Sequence, residues 1–97
     1  MKVSVALLRC ALPVFVASGA FAQDGGALVS SKGCMACHAV DQRKAGPSFK
    51  DIAAKYAGNA AAQATIVAEL RDGKGHMRIA ASEPEITAMA AYILALE

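Results

Sequence analysis

Five consecutive residues, Cys34-Met35-Ala36-Cys37-His38, constrain this chain more than any other feature in it. Two thiols one short turn apart can reach the two vinyl groups along one porphyrin edge and form thioether bonds. The adjacent histidine is then carried under the ring, where its imidazole can ligate the iron. C-x-x-C-H is the attachment signal for a c-type haem. Other readings of the pair fit less well. A thioredoxin-like redox centre needs a βαβ context, and no alternating strand pattern exists. A structural zinc site wants four ligands, yet only His76 remains to join, and His38 directly follows Cys37. A plain disulfide would leave His38 without a role.

The length of the chain makes a cofactor more than an ornament. The sequence has 97 residues, enough for one domain, and its first stretch is expected to be removed. Lys2 and Arg9 give a positive start, and Cys10–Ala22 is an apolar run broken by Pro13. The run is too short to span a bilayer, which takes about 20 residues. It ends in Ala20-Phe21-Ala22, the small-x-small pattern of a signal-peptidase site. Residues 1–22 therefore read as a signal peptide, and 23–97 as the mature domain. No membrane anchor is expected. A domain this small rarely folds firmly without a staple such as a metal, disulfides or a large cofactor. Aromatic residues make up only 5% of the sequence, so something else should fill the core.

Charge excludes one class of partner. The formal net charge of +2 belongs to Lys2 and Arg9, so the mature chain is formally neutral. No basic run interleaved with aromatics argues for nucleic acid. Cys34 and Cys37 are the cysteines left after cleavage, in an exported and therefore oxidising compartment.

The pattern predicts an all-α domain. A first helix is expected over Asp24–Lys32, closed by Gly33. Gly46-Pro47 reads as a turn, and Ser48 as the cap of a second helix running to about Ala57, with Asp51 in capping-box register. Asn59 is expected to cap a third helix through Asp72. The segment Gly73–Ala81 reads as a loop. Ser82 opens the last helix, with Glu85 at its third position and Pro84 tolerated in the first turn. Ile86, Met89, Ala90, Ile93 and Leu94 form one apolar stripe on that helix.

Around these elements the chain resembles the small bacterial class I cytochromes c, especially the single-haem five-fifty-one type. The likeness covers nearly the whole mature chain. It rests on Lys32-Gly33-Cys34-Met35-Ala36-Cys37-His38-Ala39, on Ala45-Gly46-Pro47-Ser48-Phe49-Lys50-Asp51-Ile52-Ala53-Ala54-Lys55-Tyr56-Ala57-Gly58, on Arg71-Asp72-Gly73 and on Tyr92-Ile93-Leu94. The resemblance implies a class I cytochrome c fold, a few short helices wrapped around one covalent haem c held by Cys34 and Cys37. It also implies that Gly33 lies near Tyr92, where the first and last helices cross. The Pro47 carbonyl would accept a hydrogen bond from the far ring nitrogen of His38, which fixes the ring and raises its basicity.

In that family the second axial ligand is a methionine on the loop before the last helix, and Met77 holds that place here. The expected metal ligands are thus His38 and Met77. Prolines often surround the family's methionine, whereas here its neighbours are His76 and Arg78 in a short loop, which leaves His76, or an open site, as alternatives. Met35 lies inside the attachment turn, and Met89 on the apolar stripe reads as core.

His/Met ligation fills both axial positions and raises the reduction potential. The expected function is then a periplasmic carrier of single electrons, passing them through the haem edge, and not an enzyme. Its partners would be redox proteins: a periplasmic dehydrogenase such as a sulfite dehydrogenase, a bc1-type complex, or a terminal oxidase or reductase. Lys32, Arg43, Lys44, Lys74 and Arg78 flank the segments expected around the edge and could steer docking. The competing readings are a haem enzyme or gas sensor with an open axial position, and a permanent haem subunit of a larger oxidoreductase.

Overall fold

Asp24 begins the fold by capping helix α1, Gly25–Ser31, its carboxylate accepting from the amides of Gly26 and Ala27 at 3.0 and 3.2 Å. The computed structural model describes residues 24–97. The expected signal peptide and its cleavage site after Ala22 lie outside the described residues. Past α1, Gly33 adopts a φ of +81°, a left-handed conformation that glycine takes without steric cost, and leads into a single 3-10 turn, Cys34–Ala36.

Helix α2 is Phe49–Lys55, with the Ser48 hydroxyl accepting from the Asp51 amide at 3.1 Å. Helix α3 is Ala62–Asp72. It begins later than Asn59 leads one to expect, because the Asn59 side chain caps a separate turn, accepting from the Ala61 amide at 2.9 Å. Gly73 then ends α3 at a φ of +72°.

Helix α4, Glu83–Leu94, has the expected reciprocal cap. The Ser82 hydroxyl accepts from the Glu85 amide at 3.3 Å, and the Glu85 carboxylate accepts from the Ser82 amide at 2.9 Å. Two orphan amides of the first turn are thereby satisfied.

Among the described residues there are four helices and no strands. Helix α4 is the axis of the assembly and packs on α1, α2 and α3. Its stripe of Ile86, Met89, Ala90 and Ile93 is buried, while Leu94 at the stripe's end is half-buried. Val29 from α1, Phe49 from α2, and Ile66, Val67 and Leu70 from α3 complete the core with Ile79 from the loop.

The crossing of α1 and α4 corrects one expectation. Gly33 does not meet Tyr92, since a Cβ built there would touch nothing within 4 Å. The close approach is made by Gly25 and Gly26. A Cβ on Gly25 would collide with the Ala88 carbonyl oxygen and stand 2.7 Å from the Tyr92 Cβ. Two helix backbones can cross that closely only where one lacks side chains. The first turn of α1 supplies that gap, and Gly33 instead leads, with its left-handed φ, into the attachment turn.

Candidate haem site

The attachment turn is tied back on itself. The amides of Cys37 and His38 both donate to the Cys34 carbonyl, at 3.2 and 3.0 Å. Lys44 donates to the Met35 carbonyl at 2.8 Å, and the Gly46 amide to the Cys37 carbonyl at 2.7 Å. The Phe49 and Lys50 amides reach the Ala39 and Val40 carbonyls at 2.9 and 3.1 Å. The chain from residue 34 to α2 is therefore a closed loop hung on α2, with His38 inside it.

His38 is held from three sides. Its Nδ1 lies 2.6 Å from the Pro47 carbonyl oxygen. A carbonyl only accepts, so Nδ1 carries the proton and Nε2 keeps the free lone pair. The Phe49 ring lies alongside, with centroids 5.2 Å apart and planes inclined by 20°. The Gly46 backbone presses against the imidazole so closely that a Cβ there would stand 2.5 Å from its Cε1. The Pro47 contact follows the expectation. Sequence marks Gly46 and Phe49 only as a turn and a helix start, because neither residue type advertises contact with a ring.

Cys34 is half-buried, Cys37 is exposed, and the two thiols form no disulfide. Burial pushes the Cys34 thiol above its ordinary value, with its own backbone hydrogen bond opposing. Among the described residues no three His, Cys, Asp or Glu side chains gather as a metal-ion site would need. The tetrahedral zinc reading thus lacks its donors.

A cavity of about 820 Å³ opens beside this loop, within the range of cofactor sites. Cys34, Cys37 and His38 line one side, and Ile66, Leu70, Ile79 and Ile93 form apolar walls. A flat, largely apolar macrocycle with one edge to be tethered and one face to be ligated matches that lining. The residues present fit a haem.

The far side is closed by the segment after α3. Gly73 and Gly75 have φ of +72° and +67°, and the Ile79 amide donates to the Leu70 carbonyl at 2.9 Å, folding the loop back onto the end of α3. His76 and Met77 both line the cavity. Met77 is 68% exposed, whereas His76 is half-buried. The His76 Nδ1 lies 2.6 Å from the Met77 carbonyl oxygen. Its ring stands 6.1 Å from that of His38, centroid to centroid, with the planes only 10° apart.

Of the basic residues expected around the edge, Lys32, Arg43 and Lys74 line the cavity, joined by Lys55. Lys44 is spent on Met35, and Lys32 pairs with Glu85 at 3.6 Å.

Comparison with known proteins agrees with this geometry. The family model for cytochrome c matches residues 22–97. Cytochrome c-551 of Pseudomonas aeruginosa is 42% identical over 73 residues, covering 75% of this chain and 70% of that one. Cytochrome c-551 of Azotobacter vinelandii is 45% identical over 51 residues, and there the matched region spans 62% of the relative. The crystal structure of the class 1 cytochrome MtoD from Sideroxydans lithotrophicus ES-1 superposes with a TM-score of 0.69 at 32% identity, covering 75% of this chain and 92% of that one. With the attachment turn, the seated histidine and the apolar cavity on one side of a four-helix core, the chain belongs to the cytochrome c family as a small class I member of the 551 type, and its cofactor is one covalently bound haem c.

Proposed function

We propose that this protein is a periplasmic electron carrier that exchanges single electrons with redox proteins through an exposed haem edge. The observation that carries the reading is the tethering of His38 by the Pro47 carbonyl at 2.6 Å, on the wall of an apolar cavity that Cys34 and Cys37 also line. The haem supplies one reversible electron between ferrous and ferric iron. Everything else is the work of the chain. Cys34 and Cys37 hold the edge by thioether bonds, and His38 presents Nε2 as the proximal ligand while Pro47 fixes its orientation.

Ile66, Leu70, Ile79 and Ile93 keep water from the ring faces, which limits reorganisation when the charge changes. The distal face is closed by the loop bearing Met77, the ligand expected from sequence, and His76. If His38 on one side and the Met77-bearing loop on the other both supply ligands, the metal would offer no place for a substrate, which would separate a carrier from a haem enzyme or gas sensor. No helix among the described residues is long and apolar enough to cross a membrane. Export with cleavage after Ala22 belongs to the same reading, so the intact native protein should weigh as residues 23–97 plus one haem.

Donors and acceptors of the expected kind are a periplasmic dehydrogenase, a bc1-type complex and a terminal oxidase or reductase. Optical spectra of both redox states with and without carbon monoxide test the carrier reading. A six-coordinate ferrous protein that ignores the gas is expected, and rapid carbon monoxide binding would overturn it.

A further inference from the structure

We infer that His76, and not Met77, is the distal axial ligand, so that the haem of this protein is held between two histidines. The inference rests on the haem reading above and specifies its distal side.

The two histidines share several features of metal-binding imidazoles. Both are half-buried and both line the cavity. Each has its Nδ1 at 2.6 Å from a main-chain carbonyl oxygen, that of Pro47 for His38 and that of Met77 for His76. In each case the carbonyl forces the proton onto Nδ1 and leaves Nε2 as the free donor atom, the tautomer a metal-ligating histidine adopts.

The spacing of the rings carries the same message. A metal–imidazole bond of about 2.0–2.1 Å on each side, with the span from nitrogen to ring centre, sets two imidazoles across one ion about 6.3 Å apart. The observed separation is 6.1 Å with planes 10° from parallel.

Met77 also lines the cavity, and its carbonyl oxygen is the atom that orients His76. The loop is built to present residue 76. Gly73 and Gly75 take left-handed φ on either side of Lys74, and Ile79 is buried and pinned to Leu70.

Imidazole donates more strongly to ferric iron than a thioether does, so the reduction potential should fall below that of a His/Met protein. The donor and acceptor would then be low-potential redox proteins.

The test is spectroscopic, on the haem-loaded protein. The ferric wild type should be low-spin and lack the weak sulfur-to-iron charge-transfer band. Met77→Leu, which keeps the residue 77 carbonyl, should leave that spectrum unchanged. His76→Ala should lose the low-spin signal, bind carbon monoxide when reduced, and recover the parent spectrum on adding imidazole. Because the wild-type spectrum decides by itself, poor maturation of a variant does not protect the inference. A sulfur band in the wild type that Met77→Leu removes would overturn bis-histidine ligation and leave the carrier intact. A wild type whose reduced haem binds carbon monoxide freely would overturn both.

Discussion

The backbone of Gly46 and the ring of His38 are packed so tightly that a Cβ at position 46 would stand 2.5, 2.9 and 3.0 Å from the ring's Cε1, Nδ1 and Nε2. Gly46 has no positive φ, so glycine is required there by contact and not by backbone conformation. Gly46→Ala must push the imidazole off the Pro47 carbonyl or open the loop. It should destabilise the haem protein by about 1–3 kcal/mol, as overpacking does, and weaken the proximal bond, read as high-spin character in the ferric spectrum. Gly58→Ala is the control. Its φ of +75° faces open space, so it should cost about 1 kcal/mol of backbone strain with no spectral change.

Gly25→Ala should be worse than Gly26→Ala. At Gly25 the obstacles are the Ala88 carbonyl and the Tyr92 Cβ, both fixed to the backbone of α4, whereas at Gly26 the nearest atom is the Tyr92 Cε2 at 3.1 Å, on a ring that can swing. Opening the α1–α4 crossing should cost about 1–3 kcal/mol at position 25. Equal melting temperatures for the two variants would contradict this account of the crossing.

Local rules were enough to read the helices and their caps. Ser48 and Ser82 are caps in sequence and in structure because capping depends on a residue and its next turn. The stripe Ile86, Met89, Ala90 and Ile93 was legible for the same reason. What escaped were relationships between distant residues. Gly25 against Ala88, Gly46 against His38, and His76 facing His38 leave no periodic trace in one sequence. The start of α3 moved for a local reason, since Asn59 could close a turn of its own as readily as a helix.

The fold should depend on its cofactor. Without haem, the cavity of about 820 Å³ leaves the apolar side chains of Ile66, Leu70, Ile79 and Ile93 without their packing partner and open to water. The walls must therefore collapse or flood. A Cys34→Ala, Cys37→Ala double variant prepared free of haem should show no sharp thermal transition by circular dichroism. Native-like cooperativity in that apoprotein would refute the dependence.

Acid should loosen the start of α4. Hydrogen bonds from the Ser82 amide and hydroxyl region, and then the charge of Lys32, hold the Glu85 carboxyl below its ordinary value. A carboxyl depressed by folding contributes stability above its unfolded value of about 4.3, and that contribution disappears as pH falls through the folded value. Asp72 behaves alike, held down by Arg71. The melting temperature should therefore drop below about pH 4.3. Glu85→Gln, which keeps an oxygen for the Ser82 amide, should flatten that drop in part and leave the Asp72 share.

Electron exchange with an acidic partner should slow as salt rises. Lys32, Arg43, Lys55 and Lys74 line the cavity against Asp51 and Glu69. Lys32 is already engaged with Glu85 at 3.6 Å, which leaves Arg43, Lys55 and Lys74 outside every ion pair among the described residues. The chain after Ala22 is formally neutral, so any attraction must come from this local surplus and not from net charge. At about 0.1 M ionic strength, charges more than about 10 Å apart are largely screened. Only residues close to the docking edge can then set the encounter rate. The bimolecular rate measured by stopped flow should fall between low and moderate salt. An Arg43→Gln, Lys74→Gln double variant should start slower and show a shallower slope, while its unchanged optical spectrum establishes that the haem site is intact. A rate that stays flat or climbs with salt would mean that docking is apolar, or that the partner meets another face of the domain.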